Sequence, residues 1–420
     1  MFKNDTPRSK VRLRGRAPGF VVLVAGLACA IGARGQTLMP ELSFRGGARL
    51  LQPDLAALES PKSTNEFPCV VVPSKPELGL DFMFHTGYEI QIPFHELAGD
   101  GNTLTVVYRV IPQDHPNGSA YMVQKIPVPP IEWDRQGVVK IPGKFDIGEG
   151  KYHVDWLMRD QDERVCVASW NLETHLNPKD SRFRPWVPQA LAQPRAPLFE
   201  EGVPVSHERR SDSLNIAIIA RIDPRDPASP QVDIRDLESI VATLRQIVRD
   251  PRVATSSLVI FSSAAEQIVY RQEDLEQLDL PAFGEALKSL KLGIVDARRI
   301  SSRVGPAEFT TGVIEEQMQK QPRDAVIVLS HKVPWESGKP HEIAVPPAGA
   351  ERPIFHLTYD PGKDLWTRDP ISNIVKRLRG VEYTIKNPRD LFDAWSDVVS
   401  RILRAKSVPQ VGPPRASGGL

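Results

Sequence analysis

The 420-residue sequence lacks the short motifs that carry much enzymatic chemistry. It has no Gly-x-Ser-x-Gly elbow, so a serine hydrolase would have no nucleophile motif. Its nine histidines form no His-Glu-x-x-His pair and no Cys/His spacing typical of zinc. The Ser-Gly-Lys at residues 337–339 lacks the upstream glycine of a phosphate-binding loop and precedes a proline. We therefore predict a protein that is not an enzyme and that holds no cofactor and no metal.

An excess of charge of one sign is also missing, because 53 Lys and Arg residues are balanced by 52 Asp and Glu residues. Loss of residues 1–35 would remove seven basic residues and one acidic residue, which changes the formal net charge from +1 to −5. A mildly acidic chain has no electrostatic attraction for nucleic acid or anionic lipid. The 39 prolines are about twice the usual share, which favours β-structure and linkers over helical bundles.

The apolar run near the N-terminus, residues 20–33, is short for a membrane span. Six basic residues precede it, and small and polar residues follow it. This order is typical of a signal peptide at residues 1–35 with cleavage near Gln36. We expect a secreted protein, periplasmic or extracellular, unless the segment is retained as a membrane anchor. A lipoprotein through Cys29 is a further alternative, although the preceding leucine is poorly placed for it.

Cysteine is scarce, and only Cys69 and Cys166 remain after the predicted signal peptide. Two cysteines in an exported protein favour one disulfide, and two buried free thiols are the alternative. Both residues lie in strand-like runs of the same predicted domain. The sequence therefore makes Cys69 and Cys166 a candidate disulfide pair.

Residues 64–177 alternate between apolar and polar side chains, as strands with one buried face do. In "YEIQIPF" the side chains of Tyr88, Ile90 and Ile92 share one face, and residues 150–160 repeat the pattern. Short turn clusters such as "AGDGN" and "DIGEG" separate these runs, and "RDQDER" predicts a hairpin. We interpret this segment as an antiparallel β-sandwich of immunoglobulin-like type.

The rest of the chain has a different pattern. Apolar runs such as "LNIAIIA" and "DAVIVLS" alternate with amphipathic helical segments, which indicates a mainly parallel sheet covered on both faces. The predicted class is a multi-domain β plus α/β protein, whose C-terminal part is a Rossmann-like doubly wound sheet. The predicted segments other than the sandwich are a flexible leader at 36–63, a Pro/Arg-rich linker at 178–211, the α/β domain at 212–405 and a disordered tail at 406–420.

The α/β segment resembles the von Willebrand factor type A domain. "TSSLVIFSSAAEQIVYRQ", residues 255–272, looks like the family's central strand followed by a short antiparallel edge strand. "ISNIVKRLRGVEYTIKNPRDLFDAWSDVVSRIL" resembles the close of the same fold, a helix, a short strand and a last helix. The resemblance covers about residues 214–405 in the right order. It implies the doubly wound fold and the binding of another protein or a cell-surface polymer.

The family's usual magnesium-type site would begin with Asp-x-Ser-x-Ser after the first strand. In the best register Asp223 takes the first position, but Arg225 and Pro227 stand where the two serines should be. A guanidinium repels a divalent cation and offers it no lone pair. We therefore expect Asp223 and Asp226 to form a proline-bounded turn or to pair with arginines, with metal binding as the alternative.

The other two loops of the family site also depart from the pattern. The second loop has no threonine in "KLGIVDARRISSRVGP" and adds Arg298, Arg299 and Arg303. The fourth strand ends with Ser330 and His331 where the family has a carboxylate. The metal function of the family is therefore not carried over to this chain.

We predict that the chain binds its partner at the carboxyl edge of the α/β sheet. The candidate binding residues are Arg225, Arg298, Arg299, His331 and Trp335, the last on a long insertion after a strand. The alternative for Trp335 is that its ring fills its own loop. The sequence thus predicts an exported, non-catalytic binding or scaffolding protein. The alternative is a hydrolase or another enzyme that uses the cleft at this edge.

Overall fold

A computed structural model describes most of the two predicted domains. The residues described are 37–39 (backbone), 56, 58, 66–115, 118–200, 213–226, 229–275, 277–290, 292, 305–320, 323–333, 353–359 and 369–407. The predicted signal peptide and most of the predicted tail lie outside these residues.

The N-terminal part of the chain forms two antiparallel sheets, which we call the β domain. One sheet has five strands in the order β1-β5-β4-β7-β8, and the other has four in the order β2-β3-β6-β9. The strands are β1 (Thr37–Met39), β2 (Val70–Leu78), β3 (Phe84–Pro93), β4 (Asn102–Pro112), β5 (Ala120–Val128), β6 (Val138–Ile147), β7 (Gly150–Arg159), β8 (Val165–Thr174) and β9 (Ala192–Pro194).

The alternation predicted from the sequence decides which side chains form the core of the β domain. Tyr88, Ile90 and Ile92 on β3 are at most 2% exposed, and they share one apolar cluster with residues of the other sheet. The rings of Tyr88 and Trp156 meet edge to face across the two sheets, with centroids 5.5 Å apart. The predicted hairpin is confirmed, because β7 and β8 pair in antiparallel register from Gly150 to Arg159.

Strands β1 and β9 extend the β domain beyond its predicted boundaries. β1 lies in the predicted leader and pairs with β5, and β9 lies in the predicted linker and pairs with β6. Each has only three residues, too few to show an alternation of apolar and polar side chains. Their backbone hydrogen bonds to long neighbouring strands therefore determine their place in the fold.

A disulfide joins the two sheets of the β domain. Cys69 immediately precedes β2 in the four-stranded sheet, and Cys166 lies on β8 in the five-stranded sheet. Their Cα atoms are 6.3 Å apart, within the usual range for a disulfide. Cys166 is 1% exposed and belongs to the apolar core.

The C-terminal part, which we call the α/β domain, is built on a mixed six-stranded sheet in the order β12-β11-β10-β13-β14-β15. All neighbours pair in parallel except β11 and β12. The strands are β10 (Leu214–Arg221), β11 (Val253–Ser262), β12 (Gln267–Leu275), β13 (Ala325–His331), β14 (Ile354–Tyr359) and β15 (Val381–Ile385). The helices are α1 (Ile234–Arg249), α2 (Leu280–Lys288), α3 (Pro306–Gln319), α4 (Pro370–Arg377) and α5 (Pro388–Ser407).

Helices cover both faces of this sheet, as its continuous apolar strands require. Apolar residues of α1, α2 and α5 form one cluster with one face of the sheet, and those of α3 and α4 form another with the opposite face. Every residue of β13 and β14 is buried. The predicted β plus α/β organisation is therefore confirmed.

Among the residues that the structure describes, none of the helices is long and apolar enough to cross a membrane.

The turn between β2 and β3 brings the β domain onto the α/β domain. Phe82, at its tip, has a backbone φ of 58° and contacts the rings of Phe183 and Phe392, the latter on α5. The side chain of Gln246 on α1 donates a hydrogen bond of 3.1 Å to the carbonyl of Asp81. These contacts fix the turn against two helices of the α/β domain.

A partly buried histidine holds the base of the same turn. The ring of His85 lies between two carboxylates, 2.8 Å from Asp81 Oδ1 and 2.7 Å from Asp146 Oδ1. Burial by itself lowers the pKa of His85, but the hydrogen bonds to Asp146 and Asp81 outweigh it and raise the pKa to about 9. His85 therefore carries a positive charge at neutral pH.

The free energy of unfolding should fall as the pH rises past neutrality. Because the pKa of His85 is higher in the folded state than in the unfolded chain, its stabilisation is complete below about pH 6.5 and is lost as the pH rises through about 9. Urea unfolding at several pH values should show a loss of about 3 kcal/mol over this window. His85→Gln should remove this loss, whereas His175→Gln at an exposed position should retain it. Equal pH dependence in both variants would contradict the assignment.

Candidate functional site

The carboxyl edge of the six-stranded sheet carries a group of buried polar side chains. The strands β10, β11, β13, β14 and β15 run in parallel, so the loops that follow them meet at this edge. Polar residues less than 9% exposed gather there from five parts of the chain: Arg221, Asp223, Asp236, Ser262, Ser263, His331 and Asp369. Their hydrogen bonds show what each position can do.

Asp223 holds the first position of the loop that resembles a metal site, and its carboxylate accepts hydrogen bonds from other groups of the protein. Its carboxylate accepts hydrogen bonds from Ser262 Oγ at 2.7 Å, Ser263 Oγ at 2.5 Å and the backbone N–H of Ala264 at 3.0 Å. Asp223 is 2% exposed. Its carboxylate thus anchors the turn between β11 and β12. The backbone carbonyl of Asp226 accepts a hydrogen bond from the N–H of Ser229.

Arg225 forms a bidentate ion pair with Asp236 at the start of α1. Its Nε lies 2.8 Å from Asp236 Oδ2, and its Nη2 lies 2.5 Å from Oδ1. This fork geometry is the strongest form of an arginine–carboxylate pair. The side chain of Arg225 is 26% exposed and that of Asp236 is 5% exposed. The side chain of Arg225 is therefore partly exposed at the edge, with its partner carboxylate buried behind it.

A second arginine, which sequence reasoning missed, is fully buried beneath this edge. Arg221 is the last residue of β10, and its Nη2 donates to Asp369 Oδ1 at 2.8 Å and to the carbonyl of His331 at 2.7 Å. Its Nε lies 3.7 Å from Asp223 Oδ2. Asp369 also accepts from the N–H of Ser372 and so caps α4. An arginine at the end of an apolar strand was the signal in the sequence.

His331 lies behind the surface of the edge. It is 1% exposed, and its Nδ1 is 3.8 Å from Asp236 Oδ2. Burial lowers the pKa of its imidazole to about 3, with the charges of Arg221 and Arg225 acting in the same direction. The ring is therefore neutral at ordinary pH and does not reach a partner at the surface. The other sequence-predicted binding residues, Arg298, Arg299 and Trp335, lie outside the described residues.

The carboxylates at this edge are thus occupied by donors of the protein itself. Within the described parts of the chain, no three His, Cys, Asp or Glu side chains are grouped so that they could hold a metal ion. Two guanidinium groups lie among the three aspartates. Arg225 is paired with Asp236, and Arg221 is paired with Asp369. A divalent cation at this place would have to displace an arginine from Asp236 or Asp369, or the serine and backbone donors from Asp223.

A serine, a histidine and a glutamate lie in a row on the neighbouring strands β13, β14 and β15. They are on the face of the sheet that packs against α3 and α4. Ser330 Oγ is 2.8 Å from His356 Nε2, and His356 Nδ1 is 3.8 Å from Glu382 Oε2. The interaction with His356 lowers the pKa of Glu382 to about 2, although burial opposes the shift. Both Ser330 and His356 are 0% exposed under the layer of α3 and α4. The serine hydroxyl therefore has no access to a substrate.

A pocket of about 440 Å³ opens at the carboxyl edge, between the α/β domain and the β2–β3 turn. Such a volume is within the range of ligand sites in proteins. Its lining consists of Leu78, Gly79, Leu80, Arg225, Asp233, Arg235, Asp236, Ser239, Tyr359, Ile385, Lys386, Asn387 and Pro388. Of the sequence-predicted binding residues, Arg225 is part of this wall. Sequence reasoning missed the others, because no local pattern brings β2, α1 and β15 together.

Comparison with known proteins leaves the family open. No protein-family model matches the sequence, and no curated protein matches it. The chain is similar to a solved structural-genomics target, SoR45, with 16% identity over 27% of this chain and 95% of that chain at a TM-score of 0.17. It is also similar to a Bacteroides uniformis beta-glucuronidase, with 10% identity over 74% of this chain and 38% of that chain at a TM-score of 0.17. Similarity at this level supports no statement about fold or activity.

Proposed function

We propose that the chain is an exported, non-catalytic binding protein made of an immunoglobulin-like domain and a von Willebrand A-like domain without a metal site. The α/β domain has an antiparallel hairpin, β11–β12, at the residues where the family resemblance predicts one. The helix–strand–helix order of α4, β15 and α5 also agrees with the predicted close of that fold. Its partner would be another protein or a cell-surface polymer, a proposal that rests on analogy of fold.

The single observation that carries this proposal is the ion pair between Arg225 and Asp236. It holds a guanidinium, already paired with a carboxylate, at the edge where the related domains would place their cation, and the pair needs no ion from solution. A surface of this kind suits metal-independent contact with a partner. The hydrolase alternative has less support, since Ser330 and His356 are both 0% exposed.

Binding of the partner should survive excess chelator. We expect calorimetry with Mg²⁺, Ca²⁺ and Mn²⁺ to show no specific binding, because the carboxylates of Asp223 and Asp236 already have donors. The immobilised mature chain should capture the same partner from the exported fraction with and without chelator. Capture should be lost in the double variant Arg235→Glu/Lys386→Glu at the edge. It should persist in Lys125→Glu, a matched charge reversal on the β domain.

Two results would contradict the proposal. One is metal binding at micromolar concentration that disappears in Asp223→Ala. The other is labelling of Ser330 by a fluorophosphonate probe, which would show a reactive serine and favour the hydrolase. Capture that is equal in the edge variant and in Lys125→Glu would place the contact surface elsewhere.

A further inference from the structure

The edge pocket combines an apolar floor with a charged rim. Leu78 ends β2 and Leu80 lies in the β2–β3 turn, and Tyr359, Ile385 and Pro388 come from the ends of β14 and β15 and the start of α5. Such a floor favours an occupant with an apolar body, because burial of apolar surface on binding is the main favourable contribution. The rim decides which polar group that occupant carries.

Positive charge on the rim exceeds negative charge. The cations are Arg225, Arg235 and Lys386, and the anions are Asp233 and Asp236. Asp236 is engaged by Arg225, so the remaining charges are those of Arg235, Lys386 and Asp233. The start of α1 adds the partial positive charge of a helix N-terminus. The rim is therefore suited to an anion.

Arg235 and Lys386 are the two solvent-exposed cations of this rim. The side chain of Arg235 is 86% exposed, and its Nε lies 3.6 Å from Asp233 Oδ1, an ion pair longer than a hydrogen bond. Lys386 is exposed as well, and its backbone N–H donates a hydrogen bond of 3.0 Å to Asp390 Oδ2. Both side chains stand at the mouth of the same pocket.

We propose that this pocket binds a carboxylate carried on an apolar body, with the carboxylate held by Arg235 and Lys386 and the body on the apolar floor. The proposal rests on the proposed function, since it gives the chemistry of the contact at the same edge. One source of such a group is the C-terminal residue of a partner polypeptide that ends in an apolar side chain. The other is a free organic acid of similar size.

Titration by calorimetry and by NMR of the mature chain tests this assignment. The probes are 4-phenylbutyrate and an N-acetylated tripeptide ending in leucine, with the amidated tripeptide as the uncharged counterpart. We expect a carboxylate probe to bind and the amide to bind up to about tenfold more weakly, since two solvent-exposed ion pairs are lost. The tighter of the two carboxylate probes identifies the source.

Charge variants separate a role in recognition from a role in folding. Arg235→Gln/Lys386→Gln should weaken the binding of the carboxylate probe about tenfold. The fold should stay intact, because both side chains are exposed. Asp233→Asn should bind two to five times more tightly, by estimate, because it removes a competing negative charge while asparagine still caps α1. Lys125→Gln should bind like the unaltered chain.

Three results would overturn this inference. They are no binding of either carboxylate probe, equal binding of the amide, and no weakening in Arg235→Gln/Lys386→Gln. Partner capture that still depends on the edge after such a result would leave the proposed function standing without this ligand chemistry. If the carboxylate probes do not bind and partner capture does not depend on the edge, the ligand chemistry and the proposed function are both overturned.

Discussion

Replacement of Asp369 by alanine should lower the free energy of unfolding by about 3 to 5 kcal/mol, the usual cost of leaving a buried charge without its partner. Arg221 is 0% exposed, and Asp369 Oδ1 accepts its Nη2 at 2.8 Å. Without that carboxylate the guanidinium keeps the carbonyl of His331 and the more distant Asp223. Urea unfolding of the purified variant measures the loss.

A second capping aspartate provides the matched control. Asp279 caps α2 by accepting from the N–H of Ala282 at 2.9 Å, but it is exposed and faces no buried arginine. Asp279→Ala should therefore cost only about 1 kcal/mol, the typical contribution of a helix cap. The double variant Arg221→Met/Asp369→Leu should be more stable than Asp369→Ala, because it removes the buried guanidinium that has lost its carboxylate, while Asp223 keeps its serine and backbone donors. A loss in Asp369→Ala no larger than that in Asp279→Ala would contradict the buried pair.

Loss of the bridge between Cys69 and Cys166 should cost about 4 to 5 kcal/mol in the chain-entropy account of disulfides. The two residues are separated by 97 positions, so the bridge restricts a long loop of the unfolded chain. In the folded state it joins strands of opposite sheets in the β domain. Unfolding of Cys69→Ala/Cys166→Ala beside the unaltered chain, each with and without reductant, gives the difference.

The reductant distinguishes a loss of stability caused by the missing disulfide from a loss caused by the two alanine side chains themselves. The unaltered chain should fall to about the stability of the double variant under reducing conditions, whereas the double variant should not respond. Peptide mapping without reduction should recover a fragment that contains both cysteines. Two freely alkylated thiols in the native, air-exposed protein would rule out the bridge.

Much of the architecture could be predicted from sequence because it depends on local patterns. Alternation of apolar and polar residues placed Tyr88, Ile90 and Ile92 in the core of the β domain, since side chains along a strand point to opposite faces in turn. Continuous apolar runs predicted the buried strands of the mixed sheet for the same reason. The position of Arg225 after the first of those strands was enough to place it at the carboxyl edge.

The pairing of charges and the pocket were decided by the tertiary structure. Arg221 and Asp369 are 148 residues apart, and only the neighbouring positions of β10, β13 and α4 bring them into contact. The burial of His331 likewise follows from the side chains stacked around it, although a histidine at the end of a strand suggested an exposed contact. The pocket needs the β2–β3 turn to lie against α1 and α5. A local pattern reports which face of an element is apolar, but partners distant in sequence are selected only when those faces pack together.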